Sequence, residues 1–99
     1  MISKDIPLVG EPAAIYSKLK ELLKAKSLTA YNLVEWNDNI RFGTVNKLGA
    51  VGTIAVDPHE GNSLVIIRLE IGGLSKWLYP EGKIDKMFDE VIAEYKATV

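Results

Sequence analysis

The chain has no cysteine among its 99 residues. Disulfide staples, zinc-thiolate sites, iron–sulfur clusters and thiol catalysis are therefore excluded. Histidine occurs once, as His59, which leaves one imidazole for any metal site or nucleophile–base pair. Neither sign of charge is in excess: Lys and Arg number 12, Asp and Glu 13, for a formal net charge of -1. So even a balance supplies no global field to gather nucleic acid or anionic membrane, and neither is expected as a partner. Long apolar runs are missing too. None exceeds that of residues 64–67, far below the ~20 residues that span a bilayer, so no transmembrane segment is expected. The opening residues Ile2-Ser3-Lys4-Asp5 lack the basic start and apolar stretch of a secretory leader, and the expected location is cytoplasmic. What is present is ordinary for a globular protein: 47% hydrophobic and 25% charged residues, in a length that suits one domain with one core, residues 1–99.

The period of the apolar residues changes several times along the chain. Ile2, Lys4, Ile6 and Leu8 alternate with Ser3, Asp5 and Pro7, which predicts a short strand. Pro7 lacks a ladder donor, so that strand is expected at a sheet edge. Gly10-Glu11-Pro12 reads as a helix start, because proline suits the first helical position. Ile15, Leu19, Leu22 and Leu23 then recur at helical spacing, with Lys18, Lys20, Glu21 and Lys24 opposite; the helix is expected to end near Lys26. From Tyr31 the period falls to two. Tyr31, Leu33 and Glu35 alternate with Asn32, Val34 and Trp36, and Asn37-Asp38-Asn39 reads as a turn. Ile40, Phe42 and Thr44 resume one face, with Arg41, Gly43 and Val45 on the other. Lys47-Leu48-Gly49 is a second turn.

Residues 51–56 read as a short strand and residues 57–62 as a longer polar loop. Val65, Ile67, Leu69 and Ile71 against Ile66, Arg68 and Glu70 give the strongest strand pattern of the chain. After Gly72-Gly73 come Leu74, Trp77, Leu78 and Tyr79 around a Pro80 break. Ile84, Met87, Phe88, Val91, Ile92 and Tyr95 mark a final amphipathic helix, with Phe88 expected in the core. The order is β-α-β-β-β-β-α. Four successive strands with short turns make an antiparallel meander, and two amphipathic helices need a sheet face to cover. The expectation is an α+β fold: a five-stranded antiparallel sheet with both helices on one side.

Trp36, the Gly49-Ala50-Val51-Gly52-Thr53-Ile54-Ala55-Val56 stretch, Leu69 through Gly72, and Gly82-Lys83-Ile84 together resemble the polyhydroxyalkanoic acid system family of small bacterial proteins. The element order also resembles a reduced helix-grip fold, in which a curved sheet wraps a long C-terminal helix. The family's first strand carries a polar, often histidine-bearing stretch; here it is Ile6-Pro7-Leu8-Val9-Gly10. The resemblance implies association with storage polyester granules, and it supplies no catalytic residue.

Nor do the residues themselves spell out a reaction. His59 with Asp57 and Glu60 offers imidazole and carboxylates to a metal, but in a Pro/Gly turn with no second histidine, so no metal site is expected. No serine lies in a nucleophile-elbow context, and no glycine pattern matches a phosphate loop or a dinucleotide fingerprint, so no cofactor is expected. Lys18, Lys20, Lys24 and Lys26 give the first helix a basic side, as surface helices have. Glu35 and Glu70 would form an acid pair only if the fold joined them. Two features point to binding. Leu74, Trp77, Leu78 and Tyr79 do not all fit one core face in either helical or extended geometry; they either seal the end of the core or form an apolar contact surface for a partner, a lipid or a granule surface. The small residues Gly43, Gly49, Ala50, Gly52 and Ala55 either let the sheet curve or leave a cavity under the C-terminal helix. The sequence thus reads as a non-enzymatic interaction module using apolar surface, partnered by a second copy or a granule surface. The alternative is a binder of a small apolar or acyl ligand.

Overall fold

A computed structural model describes residues 2–25, 34–47, 50–72 and 81–98. Its elements run β1 (Ile2–Leu8), α1 (Pro12–Lys24), β2 (Val34–Asn37), β3 (Phe42–Lys47), β4 (Ala50–His59), β5 (Asn62–Ile71) and α2 (Glu81–Thr98). The five strands form one antiparallel sheet in the order β1-β5-β4-β3-β2. The fold is the α+β arrangement that the periodicity predicts. α1 ends at Lys24 with Ala25 as its cap, close to the expected end near Lys26. The expected extension of β2 back to Tyr31 and the Leu48-Gly49 turn lie outside the described residues.

Register decides which side chains share a face, because successive residues of a strand point to opposite sides. Lys4 stands opposite Ile67, Ile67 opposite Ile54, Ile54 opposite Gly43 and Gly43 opposite Trp36. The face defined by that row holds the buried strand residues Ile2, Leu8, Val34, Val45, Ala50, Ile54, Val56, Val65, Ile67 and Leu69. These pack in one cluster with Ile15, Tyr16, Leu19 and Leu23 of α1 and Ile84, Phe88, Val91, Ile92 and Tyr95 of α2. Both helices therefore cover the same side. Phe88 is 2% exposed, as its place on the apolar face of α2 requires. Lys4, on the covered face of the edge strand, reaches Asp85 at 2.8 Å and Asp89 at 2.9 Å, which ties α2 to β1.

Two chain reversals differ from the sequence expectation. Residues 57–62 are not a loop. β4 continues to His59, and Glu60 (φ 49) and Gly61 (φ 80) alone make the turn. Positive φ at both central residues is the two-residue hairpin that suits strand twist. Pro58 is tolerated inside β4 for a positional reason. β3 pairs with β4 only as far as Ala55, and the Val56 N–H already points to the Arg41 carbonyl, so the nitrogen two residues on faces the same, unpaired side. The β2–β3 turn is longer than its Asn-Asp-Asn core. It runs from Asp38 to Arg41, is braced by the Asn39 N–H on Asn37 Oδ1 at 3.1 Å, and ends on Arg41 at φ 52.

The corner between β1 and α1 is closed by side chains from distant parts of the chain. Gly10 takes φ 137, open to glycine but strained for other residues. Its carbonyl accepts from Ser63 Oγ at 2.8 Å and its N–H donates to Asn62 Oδ1 at 3.3 Å. Tyr95 donates its hydroxyl to the Val9 carbonyl at 3.3 Å. Ser63 is fully buried, and this bond satisfies its hydroxyl.

Candidate functional site

The residues singled out as an apolar contact, Leu74, Trp77, Leu78 and Tyr79, lie outside the described residues. The other sequence candidates are placed. Asp57 and His59 share the sheet face away from the helices, and His59 Nε2 lies 3.8 Å from Glu60 Oε2 in an exposed setting. Among the described residues, no three His, Asp or Glu side chains converge as metal ligands would. Glu35 on β2 and Glu70 on β5 also share that face, but β3 and β4 lie between their strands. At the usual strand spacing that separates them by about 14 Å sideways, so they form no acid pair.

The small residues admit neighbours. A methyl on Gly52 would collide with the Arg68 carbonyl oxygen and meet Leu69 Cα at 2.7 Å. A methyl on Gly43 would meet the Trp36 ring at 3.0 Å. At these two positions the space that the sequence suggested for a ligand is already filled.

The sheet face opposite the helices carries a band of half-buried apolar side chains with one exposed member, Val51; Val9 and Ile40, the other exposed large apolar residues among those described, lie outside the sheet. Register puts Phe42, Ala55 and Ile66 in one row across β3, β4 and β5, with Thr44, Thr53 and Arg68 in the next. Leu64 and Val51 extend the patch toward either end of the sheet. Val51 is 56% exposed, and Phe42, Ala55, Leu64 and Ile66 are half-buried. Among the described residues, Arg68 is the cation of this face. Its Nη1 donates to the carbonyls of Lys4 at 3.1 Å and Ile67 at 2.9 Å, and its Nη2 pairs with Asp5 at 2.8 Å. Its charge is thus spent within the sheet. Glu35, Asp57 and Glu70 stand exposed around the patch.

A second, polar constellation sits where α1 crosses the β2–β3 turn. Asp38 Oδ1 accepts from the Tyr16 hydroxyl at 2.6 Å and from Lys20 Nζ at 2.8 Å. The Lys20 ammonium, then the Tyr16 hydroxyl, hold the Asp38 carboxyl below its ordinary pKa. Burial, then the bond to Asp38, push the Tyr16 phenol well above its own. The Tyr16 ring packs edge-on to Trp36 with centroids 5.9 Å apart. An open depression of about 280 Å³ lies here, lined by Ala13, Tyr16, Ser17, Lys20, Asp38 and Arg41. Sequence reasoning missed this group. Asp38 read only as a turn residue and Arg41 only as a strand residue, and nothing local announces that α1 docks over that turn.

A scan against protein-family models finds no match to this chain, and searches of curated proteins and of solved structures find none either.

Proposed function

We propose that this domain is a non-enzymatic interaction module whose open sheet face docks on the same face of a second copy. The observation that carries the reading is the one-sided placement of the helices, which leaves Phe42, Val51, Ala55, Leu64 and Ile66 facing outward. Size supports a second copy as the occupant. At the usual strand spacing and rise, the five strands present a face of about 600 Å². Two such faces bury about 1,200 Å², the lower end of a specific interface. Two sheets of identical twist pack face to face at about −30°, the geometry of a β-sandwich. The rim works against tight binding. Glu35, Asp57 and Glu70 surround the patch on each copy, and like charges brought together repel. The dimer is therefore weak and strengthens as salt screens the rim.

Sedimentation equilibrium tests this with wild type, Ile66→Asp and Trp77→Ser, using circular dichroism as the folding control. Wild type should show a concentration-dependent rise toward twice the monomer mass, greater at high salt. Ile66→Asp should stay monomeric and folded, and Trp77→Ser should associate as wild type does. A dimer that survives Ile66→Asp but not Trp77→Ser would move the contact to residues 74–79 and overturn the sheet-face reading. A wild type that stays monomeric at every salt, yet binds polyester particles in an Ile66-dependent way, would replace the second copy with the granule surface that the family resemblance implies.

A further inference from the structure

The depression between α1 and the β2–β3 turn has the makings of a ligand site, and it stands apart from the open sheet face. Its far wall is Arg41. That residue holds a left-handed backbone (φ 52) that Gly or Asn would adopt at lower cost. The turn alone therefore does not call for arginine. What arginine adds is a fixed guanidinium. Nε donates to the Val56 carbonyl at 3.0 Å, while the Val56 N–H donates back to the Arg41 carbonyl at 3.2 Å. With backbone and Nε both anchored, the half-buried side chain is held in place at the depression. Among the described residues, its two terminal nitrogens have no acceptor. A guanidinium presents its donors as a planar fork that matches the oxygens of a carboxylate or phosphate.

The near wall is also set before any ligand arrives. Asp38 Oδ1 gathers both the Tyr16 hydroxyl and the Lys20 ammonium, and the Lys20 Nζ lies 5.9 Å from the centre of the Tyr16 ring. Ser17 adds a hydroxyl to the lining. Two cations, Lys20 and Arg41, face one carboxylate, so the lining keeps a net positive charge. Asp38 offsets Lys20, and that leaves Arg41 as the group with both charge and donors to offer. The volume of about 280 Å³ is near the lower end for small-ligand pockets. We propose that this depression binds a small oxyanion, a carboxylate or phosphate group held by the Arg41 fork, with Ser17 and Lys20 on the opposite side.

The test is a titration followed in ¹H–¹⁵N spectra that include the Arg41 side-chain Nε–H. One arm uses sodium succinate, a second sodium phosphate, and a third sodium chloride at matched ionic strength. A saturable shift of Arg41 Nε–H and of the Ser17 and Asp38 amides with succinate, phosphate or both supports the site, and the arm that saturates names the group. Shifts that stay linear and match those of chloride overturn it. Arg41→Gln should weaken binding about tenfold or more, the effect of losing a charged hydrogen-bond donor. Arg41→Gly relieves the left-handed backbone, so it keeps the fold even where Arg41→Gln does not, and it should weaken binding to the same extent. Lys18→Gln, outside the depression, should leave binding unchanged. Unaltered affinity in Arg41→Gly, or an equal loss in Lys18→Gln, would place the anion on the basic side of α1 and contradict the proposal.

Discussion

On β5, Val65, Ile67 and Leu69 are buried beneath two helices, while Leu64 and Ile66, just as apolar and one position along, are only half-buried. The same contrast holds on β4, where Ile54 and Val56 are buried and Val51 is 56% exposed. The two faces of the sheet thus share strands and hydrophobic character but not cover. On the covered side, apolar area removed from water holds the helices to the sheet. On the open side, comparable side chains are only partly withdrawn from water, and the area they still expose is what a partner would cover.

The largest expected break in that comparison comes from truncating one side chain on each face. Phe88→Ala opens a cavity beneath α2 and should cost about 3–5 kcal/mol. In a domain this size each kcal/mol lowers the melting temperature by about 4–8 °C, so the variant should melt more than about 12 °C below wild type. Ile66→Ala should cost about 1 kcal/mol or less, measured below the concentration at which the chain self-associates. Equal losses in thermal denaturation would mean that both faces are core.

Adding a carbon discriminates more finely. Gly52 faces the covered side, and its new methyl would run into the backbone of Arg68 and Leu69, which has no rotamer to yield. Gly52→Ala should cost about 1–3 kcal/mol, as overpacking does. Ala55→Val, on the open side, should change stability by no more than about 0.5 kcal/mol. A neutral Gly52→Ala in urea denaturation would show that the covered side is loosely packed.

The smallest effect concerns the ion pairs that tie α2 to the edge of the covered face. Asp85 first, then Asp89, raise the Lys4 pKa above its ordinary 10.5. A raised pKa in the folded state stabilises fully below pH 10.5 and loses that contribution as pH rises through the higher folded value. Asp85 is about half exposed and Asp89 more so, so solvent screening keeps the contribution to about 0.5–1 kcal/mol. Lys4→Met should therefore be slightly less stable than wild type at neutral pH and should converge with it at strongly alkaline pH. A gap that widens with rising pH would contradict the assignment.

The fold was largely legible because local pattern and tertiary demand agree. Ile15, Leu19 and Leu23 recur at helical spacing and are buried together, and the two-residue alternation of Val65, Ile67 and Leu69 matches the covered face. Pattern was thinner where both sides of a strand are apolar. Leu64-Val65-Ile66-Ile67 reads as continuous apolar chain; Arg68 and Glu70 on the alternate face were the cue to the covered side, and the outward Leu64 and Ile66 gave none. It misled at residues 57–62, where proline, glycine and charge suggested a loop. Proline fits there because β4 has outrun β3, a fact of register and not of composition. The Tyr16–Asp38–Arg41 group was invisible for a related reason: Tyr16 and Asp38 are 22 positions apart, and the docking of α1 brings them together.

Whether the open face meets its own copy can be read from isotope-filtered nuclear Overhauser spectroscopy. The sample is an equimolar mixture of ¹³C-labelled and unlabelled chain at high salt. Intermolecular cross-peaks are expected from the methyls of Leu64, Ile66 and Val51 and from the Phe42 ring, and none from Ile54, Val65 or Ile67 beneath the helices. Cross-peaks confined to other residues, in a sample whose sedimenting mass is that of a dimer, would contradict a contact through this face.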